Sequence, residues 1–449
     1  MSVLMSENGR LLTGWGRTGA SRAMVAGPLD TGRLQALVAS RPPGGVLARG
    51  SGLSYGDAAQ NAGGYVLSPV TLPSVELAAD GERVRASASA TFADVLAAIV
   101  PHGRILPALP GTSGVTVGGA IAADVHGKNQ RADGSLSAWL EEIELIDGTG
   151  ALRRLTPDCD PSGFRATVGG MGLTGIVIAA TIRLLPVLSA RIRVTARRLP
   201  DLDALLGALD GSRSRYTVAW VDTTASGASL GRGVLDEGDH LTGTDPELGQ
   251  ETLAYSPGPG HRAPSLGFCP VTHASARAFN SLWFRKAPRS KTSLTGLPAF
   301  FHRLDAIAGW NRALGPRGFV QYQFAVPDGA EQVVAGVLAA VQRERCAPFL
   351  GTLKRFGPAS RGHLSFAMPG WSLAIDMPAG NPRVAPLLNR LDGQVAEAGG
   401  RVYLAKDGRL PGAALAAMYP ELPGWQAVRA RFDPAGVFRS DLGRRVGLC

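Results

Sequence analysis

Apolar and polar residues alternate along this chain with two periods, one typical of strands and one typical of helices. Residues 83–89 alternate as a half-buried strand. In the strand predicted over 319–324, Gln321 and Gln323 project from one face. Residues 331–343 are predicted to form a helix. The pattern therefore predicts a chain that contains both strands and helices.

Local signals predict where other elements begin and end. Thr91 and Asp94 resemble a capping box for a helix over 92–100. The run Asp147-Gly148-Thr149-Gly150 between apolar segments predicts a hairpin. Residues 226–270 are rich in Gly, Pro and Ser, so we expect a long irregular segment there. Further predictions are strands at 217–221, 349–356 and 371–376 and helices that begin near 201, 384 and 425.

The stretch from Leu109 to Asn129 has almost no bulky side chains, which makes it a poor core element. Small residues let a backbone lie close against a flat or charged group. Thr116 can cap a short helix that starts at the Gly118-Gly119 pair, and the N–H groups of such a turn bind anions. The stretch ends in three polar residues, His126, Lys128 and Asn129.

Two further glycine-rich segments, 48–57 and 166–175, flank this stretch. The first alternates glycine with small hydroxyl residues, which favours a concave set of N–H groups suited to a pyrophosphate, although plain turns share that composition. The second contains Gly170-x-Gly172-x-x-Gly175, the spacing of a dinucleotide fingerprint. That fingerprint must open a helix, whereas the β-branched residues 176–182 predict a strand. We therefore reject a Rossmann fold.

Composition narrows the class of protein. A chain of 449 residues exceeds what one core usually supports, and the glycine motifs stop near 185, so a second domain is expected from about residue 190. The formal net charge of +10 is spread without a basic run, which favours anionic substrates or an anionic membrane face over nucleic acid. Arginine is the usual cation, so each of the few lysines is a candidate. They are Lys128, Lys286, Lys291, Lys354 and Lys406.

Neither metal sites nor membrane spans are indicated. The four cysteines are far apart and form no CxxC pair, so we expect no metal and no disulfide framework. Residues 1–15 lack a secretory signal, and apolar runs such as 176–182 are too short to cross a bilayer. We expect a cytoplasmic protein, soluble or associated with a membrane at the cell envelope, and the sequence leaves the periplasmic face open.

The glycine motifs resemble those of the vanillyl-alcohol-oxidase class of FAD-binding flavoproteins. The shared motifs are R-G-x-G-x-S from Arg49, P-G-x-x-x-V-x-V-G-G-A-I-A from Pro110, A-T-V-G-G-x-G-L-T-G-I from Ala166, and the Phe432-Asp433-Pro434 and Val437-Phe438 pair. Within the class, the chain is similar over nearly its whole length to flavin subunits of decaprenylphosphoryl-β-D-ribose 2'-epimerases. That similarity rests on L-T-G-W-G-R-T from Leu12, S-Y-G-D-x-A-Q-N from Ser54, D-V-H-G-K-N from Asp124, G-W-N-R-A from Gly309, Q-Y-Q-F from Gln321 and A-K-D from Ala405.

The resemblance implies a two-domain α+β fold with a substrate-binding cap built on an antiparallel sheet. It divides the chain into an FAD-binding part (1–189), the cap (190–400) and a return to the FAD-binding domain (401–449). It implies FAD-dependent oxidation of the C2' hydroxyl of a polyprenyl-phosphoryl ribofuranose to a ketone. An NAD(P)H-dependent short-chain reductase would then complete the epimerisation to the arabinose donor for cell-wall arabinan. Many relatives carry a histidine bonded to FAD at the position of Leu53, so FAD is expected to be noncovalent here.

The matched motifs also imply the site residues. Lys406 is the candidate for positive charge near the flavin, and His126 for taking the hydroxyl proton or orienting the sugar. A surface lysine and a structural histidine are the alternatives. The cofactor-binding candidates are Arg49, Gly50, Ser51, Gly52, Leu53, Ser54, Tyr55, Gly111, Thr112, Val117, Gly118, Gly119, Ala122, Ala123, His126, Gly127, Asn129, Gly172, Ile176 and Tyr403. The substrate-binding candidates are Tyr55, Lys128, Trp220, Phe284, Gln321, Gln323, Lys354 and Lys406.

Two departures from the subfamily bear on substrate fit. Ser372 and Ala374 stand where its members often have Asn and Cys. A related FAD-dependent sugar or alditol oxidase acting on a soluble substrate, as in a natural-product pathway, is the main alternative. A flavin-free binding protein of the same fold is another. Trp220, Trp283 and Phe284 could line an approach for a lipid tail, although aromatic residues on strands more often form a core.

Overall fold

Strands and helices are interspersed along the chain in the computed structural model, which describes residues 9–250, 253–256 and 260–449. The start of the segment expected to lack a secretory signal, residues 1–8, lies outside the described residues. The strands are β1 (Arg10–Thr13), β2 (Ala20–Ala26), β3 (Val46–Ala48), β4 (Tyr65–Leu67), β5 (Val75–Leu77), β6 (Arg83–Ser87), β7 (Arg104–Ile105), β8 (Leu140–Ile146), β9 (Leu152–Leu155), β10 (Ile176–Arg183), β11 (Leu185–Pro186), β12 (Arg191–Leu199), β13 (Tyr216–Val221), β14 (Gly233–His240), β15 (His261–Arg262), β16 (Ser290–Gly296), β17 (Ile307–Ala308), β18 (Phe319–Val326), β19 (Leu350–Phe356), β20 (Gly370–Pro378) and β21 (Arg401–Val402).

The helices are distributed over the same length of chain as the strands. They are α1 (Thr31–Ala39), α2 (Phe92–Ile99), α3 (Val117–Ala123), α4 (Gln130–Asp133), α5 (Pro161–Thr167), α6 (Leu202–Gly211), α7 (His273–Lys286), α8 (Leu297–Phe301), α9 (Glu331–Arg343), α10 (Val384–Glu397), α11 (Gly412–Met418), α12 (Leu422–Phe432) and α13 (Asp441–Val446). Among the described residues, no helix combines the length and the apolarity needed to cross a bilayer.

The described strands form three main sheets. A four-stranded sheet has the order β1-β2-β4-β3, and a five-stranded sheet has the order β5-β6-β10-β8-β9. The largest sheet has eight strands in the order β16-β12-β14-β13-β19-β20-β18-β21, and its pairs are antiparallel. This confirms the expected antiparallel sheet after residue 190. The sheet extends to Val402, because β21 pairs with β18 just beyond the proposed boundary at 400.

Several local predictions are confirmed. Thr91 and Asp94 form the reciprocal capping box of α2, and Thr116 caps α3 by accepting from the N–H of Gly119. β8 and β9 form the predicted hairpin. β10 follows the third glycine-rich segment directly, so the rejection of a dinucleotide fingerprint is also confirmed.

Two expectations are wrong. The segment predicted to be irregular over 226–270 contains β14, which pairs with β12 and β13 on its two sides; residues 251–252 and 257–259 of that segment lie outside the described ones. Pairing on both edges stabilises a strand whose own sequence is rich in Gly and acidic residues. Trp283 and Phe284 lie on α7 and not on a strand. Thr272 and Ser275 begin that helix with a reciprocal cap that the sequence reading overlooked.

The eight-stranded sheet has one apolar face and one polar face. The apolar face, which we call the outer face, packs against α6, α9 and α10. Its fully buried side chains are Tyr322, Phe324, Leu353, Leu373 and Ile375. Burying each such side chain stabilises the fold by about 1.5–3 kcal/mol. The residues between them along the same strands form the opposite, inner face, which holds the candidate site.

Candidate active site

The inner face is built by the register of three neighbouring strands. On β18 and β20, Gln321 lies opposite Asp376 and Gln323 lies opposite Ala374. On β19, Lys354 lies opposite Ser372 of β20. Directly opposed residues share a face, so these polar side chains point to the same side of the sheet. Gln321 and Gln323 thus occupy one face, as their spacing predicts.

A buried carboxylate and a half-buried lysine interact electrostatically at one end of this face. Gln321 Nε2 donates to Asp376 Oδ1 over 2.8 Å, and Asp376 is buried. Burial raises the pKa of Asp376, while Lys406 acts to lower it. Burial lowers the pKa of Lys406, while Asp376 acts to raise it. Each group thus favours the charged form of the other, as expected for opposite charges in a low-dielectric site.

Lys406 also lies over an aromatic ring from the first glycine-rich segment. Its Nζ is 3.7 Å from the centroid of the Tyr55 ring. The N–H of Tyr55 donates to the carbonyl of Ala405, so the turn that carries the lysine is tied to that segment. A cation over an aromatic face is stabilised further when both are desolvated. Lys406 is half-buried and therefore lies against the first glycine-rich segment.

His126 lies in an aromatic cage behind the glutamines. Its Nε2 is 3.2 Å from Gln323 Nε2. The rings of Phe356, Phe366 and Tyr403 lie with centroids 4.9, 5.6 and 5.4 Å from the imidazole. Burial, with Lys354 and Lys406 adding to it, holds the pKa of His126 well below its usual value. The neutral imidazole therefore dominates near pH 7, and its Nδ1 has no partner among the described residues.

Asp124 fixes the turn that leads to His126. It ends α3 with a left-handed backbone at φ 41°. Its carboxylate accepts from the N–H and the hydroxyl of Ser137 and from the hydroxyl of Ser365. Burial raises the pKa of Asp124, against the effect of these hydrogen bonds. Asp124 was not among the site residues predicted from sequence, although this residue is the first of the D-V-H-G-K-N motif.

Two more lysines converge on the segment that carries His126. Lys128 Nζ donates to the carbonyl of Phe300 over 2.5 Å and lies 3.9 Å from the centroid of its ring. Lys354 Nζ lies 3.5 Å from the carbonyl of Gly127. Burial lowers the pKa of Lys128 to about 7 and that of Lys354 to about 8. Neither amine forms an ion pair with a described carboxylate, so both remain available to an anionic ligand.

The three glycine-rich segments contact one another around α3. A Cβ at Gly50 would collide with Thr116 Oγ1, so the first segment packs directly on the second. The N–H of Gly169 donates to the carbonyl of Ile121, and the N–H of Met171 to that of Ala122, both over 2.9 Å. The first and third segments predicted to bind a cofactor therefore both pack on the second.

Most of the other cofactor candidates belong to these three segments. The first segment carries Ser51, Gly52, Leu53 and Ser54, the second Gly111, Thr112, Val117, Gly118, Gly119, Ala123 and Gly127, and the third Gly172, while Ile176 begins β10 directly after it. The hydroxyl of Tyr403 donates to the carbonyl of Ala123. Arg49 donates to the carbonyls of Thr13 and Ala59, and Asn129 donates to the carbonyl of Pro107. Arg49 and Asn129 thus hold the surrounding loops together.

The aromatic candidates do not form one group. Trp220 lies on β13 opposite Thr352, on the inner face. The Phe284 ring lies on α7 between two guanidinium groups, with Arg232 at 4.5 Å and Arg198 at 5.3 Å. Only Trp220 therefore shares the inner face of the sheet with Lys354.

Sequence reasoning missed Asp376 as well as Asp124. Asp376 is the one charged residue of β20, a strand that is otherwise apolar or uncharged, and an acid in such a strand is seldom buried without a partner. Its spacing from Ser372 and Ala374 puts it on the face that carries the glutamines. A lone acidic residue in an uncharged strand, on the face that carries the other polar residues, could therefore have been predicted as a site residue.

Comparisons with known proteins match both halves of this site. A family model described as an FAD binding domain covers residues 23–156, and one described as D-arabinono-1,4-lactone oxidase covers residues 375–446. The chain is 37% identical to decaprenylphosphoryl-β-D-ribose oxidase of Mycolicibacterium smegmatis, over 97% of each chain. It is 39% identical to an uncharacterized protein of Streptomyces coelicolor over 78% of this chain and 98% of the other. It is 24% identical to alditol oxidase of a Streptomyces species over 89% and 90% of the two chains.

The matched regions contain the residues that the geometry brings together. The first holds Gly50, Thr116 and His126, and the second holds Asp376 and Lys406. The identity of 37% over 97% of both chains is sufficient to assign this chain to the family of the mycobacterial enzyme. The chain belongs to the decaprenylphosphoryl-β-D-ribose oxidase family and is an FAD-dependent oxidoreductase of the vanillyl-alcohol-oxidase class that acts on CH–OH groups.

Proposed function

We propose that this enzyme oxidises the C2' hydroxyl of a polyprenyl-phosphoryl-β-D-ribofuranose to the 2'-keto sugar. The observation that carries the proposal is the inner-face cluster, in which the half-buried Lys406 lies over the Tyr55 ring of the first glycine-rich segment and is attracted by Asp376. Its amine, two amides and a neutral imidazole suit a polyhydroxylated ring that loses a proton and a hydride. The similarity to an oxidase of decaprenylphosphoryl ribose supports the choice of sugar and lipid phosphate.

The residues of this chain fit FAD. The Gly50–Thr116 contact shows that side chains would be crowded where the segments meet, and Gly52 and Gly172 adopt φ of 69° and 75°. Such backbone lets N–H groups approach a pyrophosphate. When bound, FAD supplies the hydride acceptor. We propose that it is held noncovalently, since Leu53 offers no group for a bond.

Lys406 and His126 have separate roles in this proposal. The ammonium of Lys406 supplies positive charge where negative charge develops. In this proposal, His126 Nδ1 accepts the hydroxyl proton. With the side-chain amide of Gln323 flipped, its Oε1 accepts a hydrogen bond from the Nε2–H of His126, which leaves His126 Nδ1 unprotonated and free to act as a base. The lowered pKa of His126 keeps the imidazole neutral and ready for that proton.

The remaining inner-face residues bind the substrate. Gln321 and Gln323 hydrogen-bond the sugar hydroxyls, and Tyr55 lines the same space. Lys128 and Lys354 bind the phosphate, since neither amine is neutralised by a described carboxylate. Trp220 extends the inner face beyond them. An NAD(P)H-dependent short-chain reductase then reduces the ketone from the other face, which makes the enzyme the first half of an epimerisation.

The division of the chain follows the same proposal. Residues 1–189 and 401–449 form the FAD-binding domain, and residues 190–400 form the cap that holds the substrate. We propose a cytoplasmic location with peripheral contact to a membrane, because the substrate carries a lipid.

Three measurements test the cofactor, the substrate and the position that is oxidised. Acid precipitation of the purified protein is expected to release all flavin into the supernatant, whereas yellow colour in the washed pellet contradicts noncovalent binding. With an artificial electron acceptor, polyprenyl-phosphoryl ribose is expected to be oxidised far more efficiently than free ribose, because remote binding energy is lost with the tail and phosphate. Borodeuteride trapping is expected to place deuterium at C2'. Equal efficiency on free alditols would instead support the alditol oxidase alternative.

A further inference from the structure

We propose that α7 is the part of this enzyme that docks on an anionic lipid membrane. The inference rests on three side chains that we call the aromatic ridge: Phe279, Leu282 and Trp283. Their exposed fractions are 56%, 54% and 47%. The rings of Phe279 and Trp283 stack with centroids 6.1 Å apart and planes 17° apart. Large apolar side chains grouped in this way mark an interaction surface.

The ridge forms one stripe of a regular helix. Residues 279, 282, 283 and 286 follow the i, i+3, i+4, i+7 spacing, which places Lys286 on the same stripe. The buried residues of α7, Ala276 and Asn280, face the protein instead. Since the helix is fixed by its own buried side and by the Arg198 and Arg232 contacts to Phe284, the ridge is directed away from the fold.

A basic groove runs along the neighbouring flank of the same helix. It has a volume of about 810 Å³ and is lined by Arg277 and Arg285 of α7 together with Arg345 and Arg383. None of these four guanidinium groups forms an ion pair with a carboxylate in the described part of the chain. An unneutralised basic groove beside an exposed aromatic stripe has the composition of a helix that lies at the lipid–water boundary.

The charge of the groove favours an anionic membrane over a second copy of this chain as the binding partner. A second copy of this chain would bring the same four arginines and a net charge of +10 toward the groove, and like charges oppose that contact. Anionic headgroups complement the groove, and each basic side chain near such a surface contributes about 1 kcal/mol. Trp, Phe and Leu are residues that enter the headgroup boundary. The proposal rests in part on the proposed function, since an enzyme of lipid-linked sugars meets its substrate at a membrane.

Vesicle flotation of the holoenzyme tests the surface. Binding is expected to phosphatidylcholine/phosphatidylglycerol vesicles, to weaken with rising NaCl, and to be much lower on phosphatidylcholine alone. The triple variant Phe279→Ser, Leu282→Ser, Trp283→Ser is expected to lower the partition coefficient by more than about tenfold. Arg277→Gln and Arg285→Gln are expected to lower it by about fivefold for each charge removed. The matched control changes three exposed leucines elsewhere, Leu11→Ser, Leu72→Ser and Leu152→Ser, and is expected to bind as the parent does.

Three results would overturn the proposal. One is equal binding to neutral and anionic vesicles, and another is equal loss of binding in the ridge and control variants. The third is a concentration-dependent dimer that the ridge variant abolishes without any vesicle binding, which would make the partner a second copy. Turnover of a soluble short-prenyl analogue separates this proposal from the proposed function. The ridge variant is expected to turn over this analogue at the rate of the parent. If the parent enzyme binds vesicles but oxidises no polyprenyl-phosphoryl ribose, the proposed function is refuted and the membrane-docking proposal is not.

Discussion

The two faces of the eight-stranded sheet are formed by the same strands, but the outer face stabilises the fold and the inner face holds the candidate active site. On β20, Leu373 and Ile375 point outward into an apolar layer with helices, while Ser372, Ala374 and Asp376 point inward. The outer face is stabilised by area removed from water, which depends little on exact geometry. The inner face buries charge, which costs free energy unless each group is paired. Adjacent residues of one strand can therefore contribute separately to stability and to chemistry.

Lys406→Ala gives the largest expected effect on the inner face. Removing a preorganised cation beside the reacting atoms is expected to lower turnover by roughly 10²–10³-fold or more, while FAD content and circular dichroism stay near those of the parent. Steady-state kinetics with polyprenyl-phosphoryl ribose measures the loss. Lys286→Ala on the exposed side of α7 is the matched control and is expected to leave turnover of the soluble analogue unchanged. Near-normal turnover in Lys406→Ala would mean that the Lys406 amine has no part in the reaction.

Leu373→Ala addresses the outer face. Leu373 is fully buried, so the cavity is expected to reduce the free energy of unfolding by about 2–5 kcal/mol. Turnover of the folded fraction is expected to remain close to that of the parent, since the side chain points away from the site. Chemical denaturation followed by tryptophan fluorescence measures the change. Ser372→Ala, one residue away on the inner face, is expected to cost only about 0.5–1.5 kcal/mol, because it loses one long hydrogen bond between Ser372 and Gln323. An equal loss of unfolding free energy in the two variants would contradict the claim that the outer face contributes more to stability than the inner face.

Asp376→Asn is expected to shift a pH profile in a defined direction. Asp376 acts to raise the pKa of Lys406, so an uncharged amide lets burial lower that pKa further. If the charged amine is the active form, the alkaline limb of kcat/KM moves to lower pH in the variant. The control is Asp328→Asn, which removes an exposed carboxylate paired with Arg355 and is expected to leave the limb in place. An alkaline limb that stays fixed or moves upward would show that Lys406 does not set it.

Local elements could be predicted from sequence, whereas the contacts that assemble the inner face could not. The bounds of α9 and the strand character of 319–324 follow from local pattern, and the cap of α2 from two residues. β14 was missed because pairing with two neighbours, and not its own sequence, stabilises it. The glycine-rich segments were recognised singly, but their convergence on α3 depends on long-range contacts. Asp376 became visible only when the register placed it opposite Gln321.

Cysteine substitution on β20 gives the smallest expected change in activity and the sharpest test of the two faces. Ala374 is half-buried on the inner face opposite Gln323, so a thiol in Ala374→Cys is expected to react with a small thiol reagent. Its labelling is expected to slow when substrate is bound, because the substrate covers that face. A thiol in Leu373→Cys, packed against helices, is expected to stay unlabelled in the folded protein. Peptide mass spectrometry separates position 374 from the native Cys159, Cys269, Cys346 and Cys449, of which Cys159 and Cys449 are exposed and serve as internal references for reagent reactivity. Labelling at 373 but not at 374 would mean that the register assigned to β20 is inverted, and with it the identity of the face that holds Asp376.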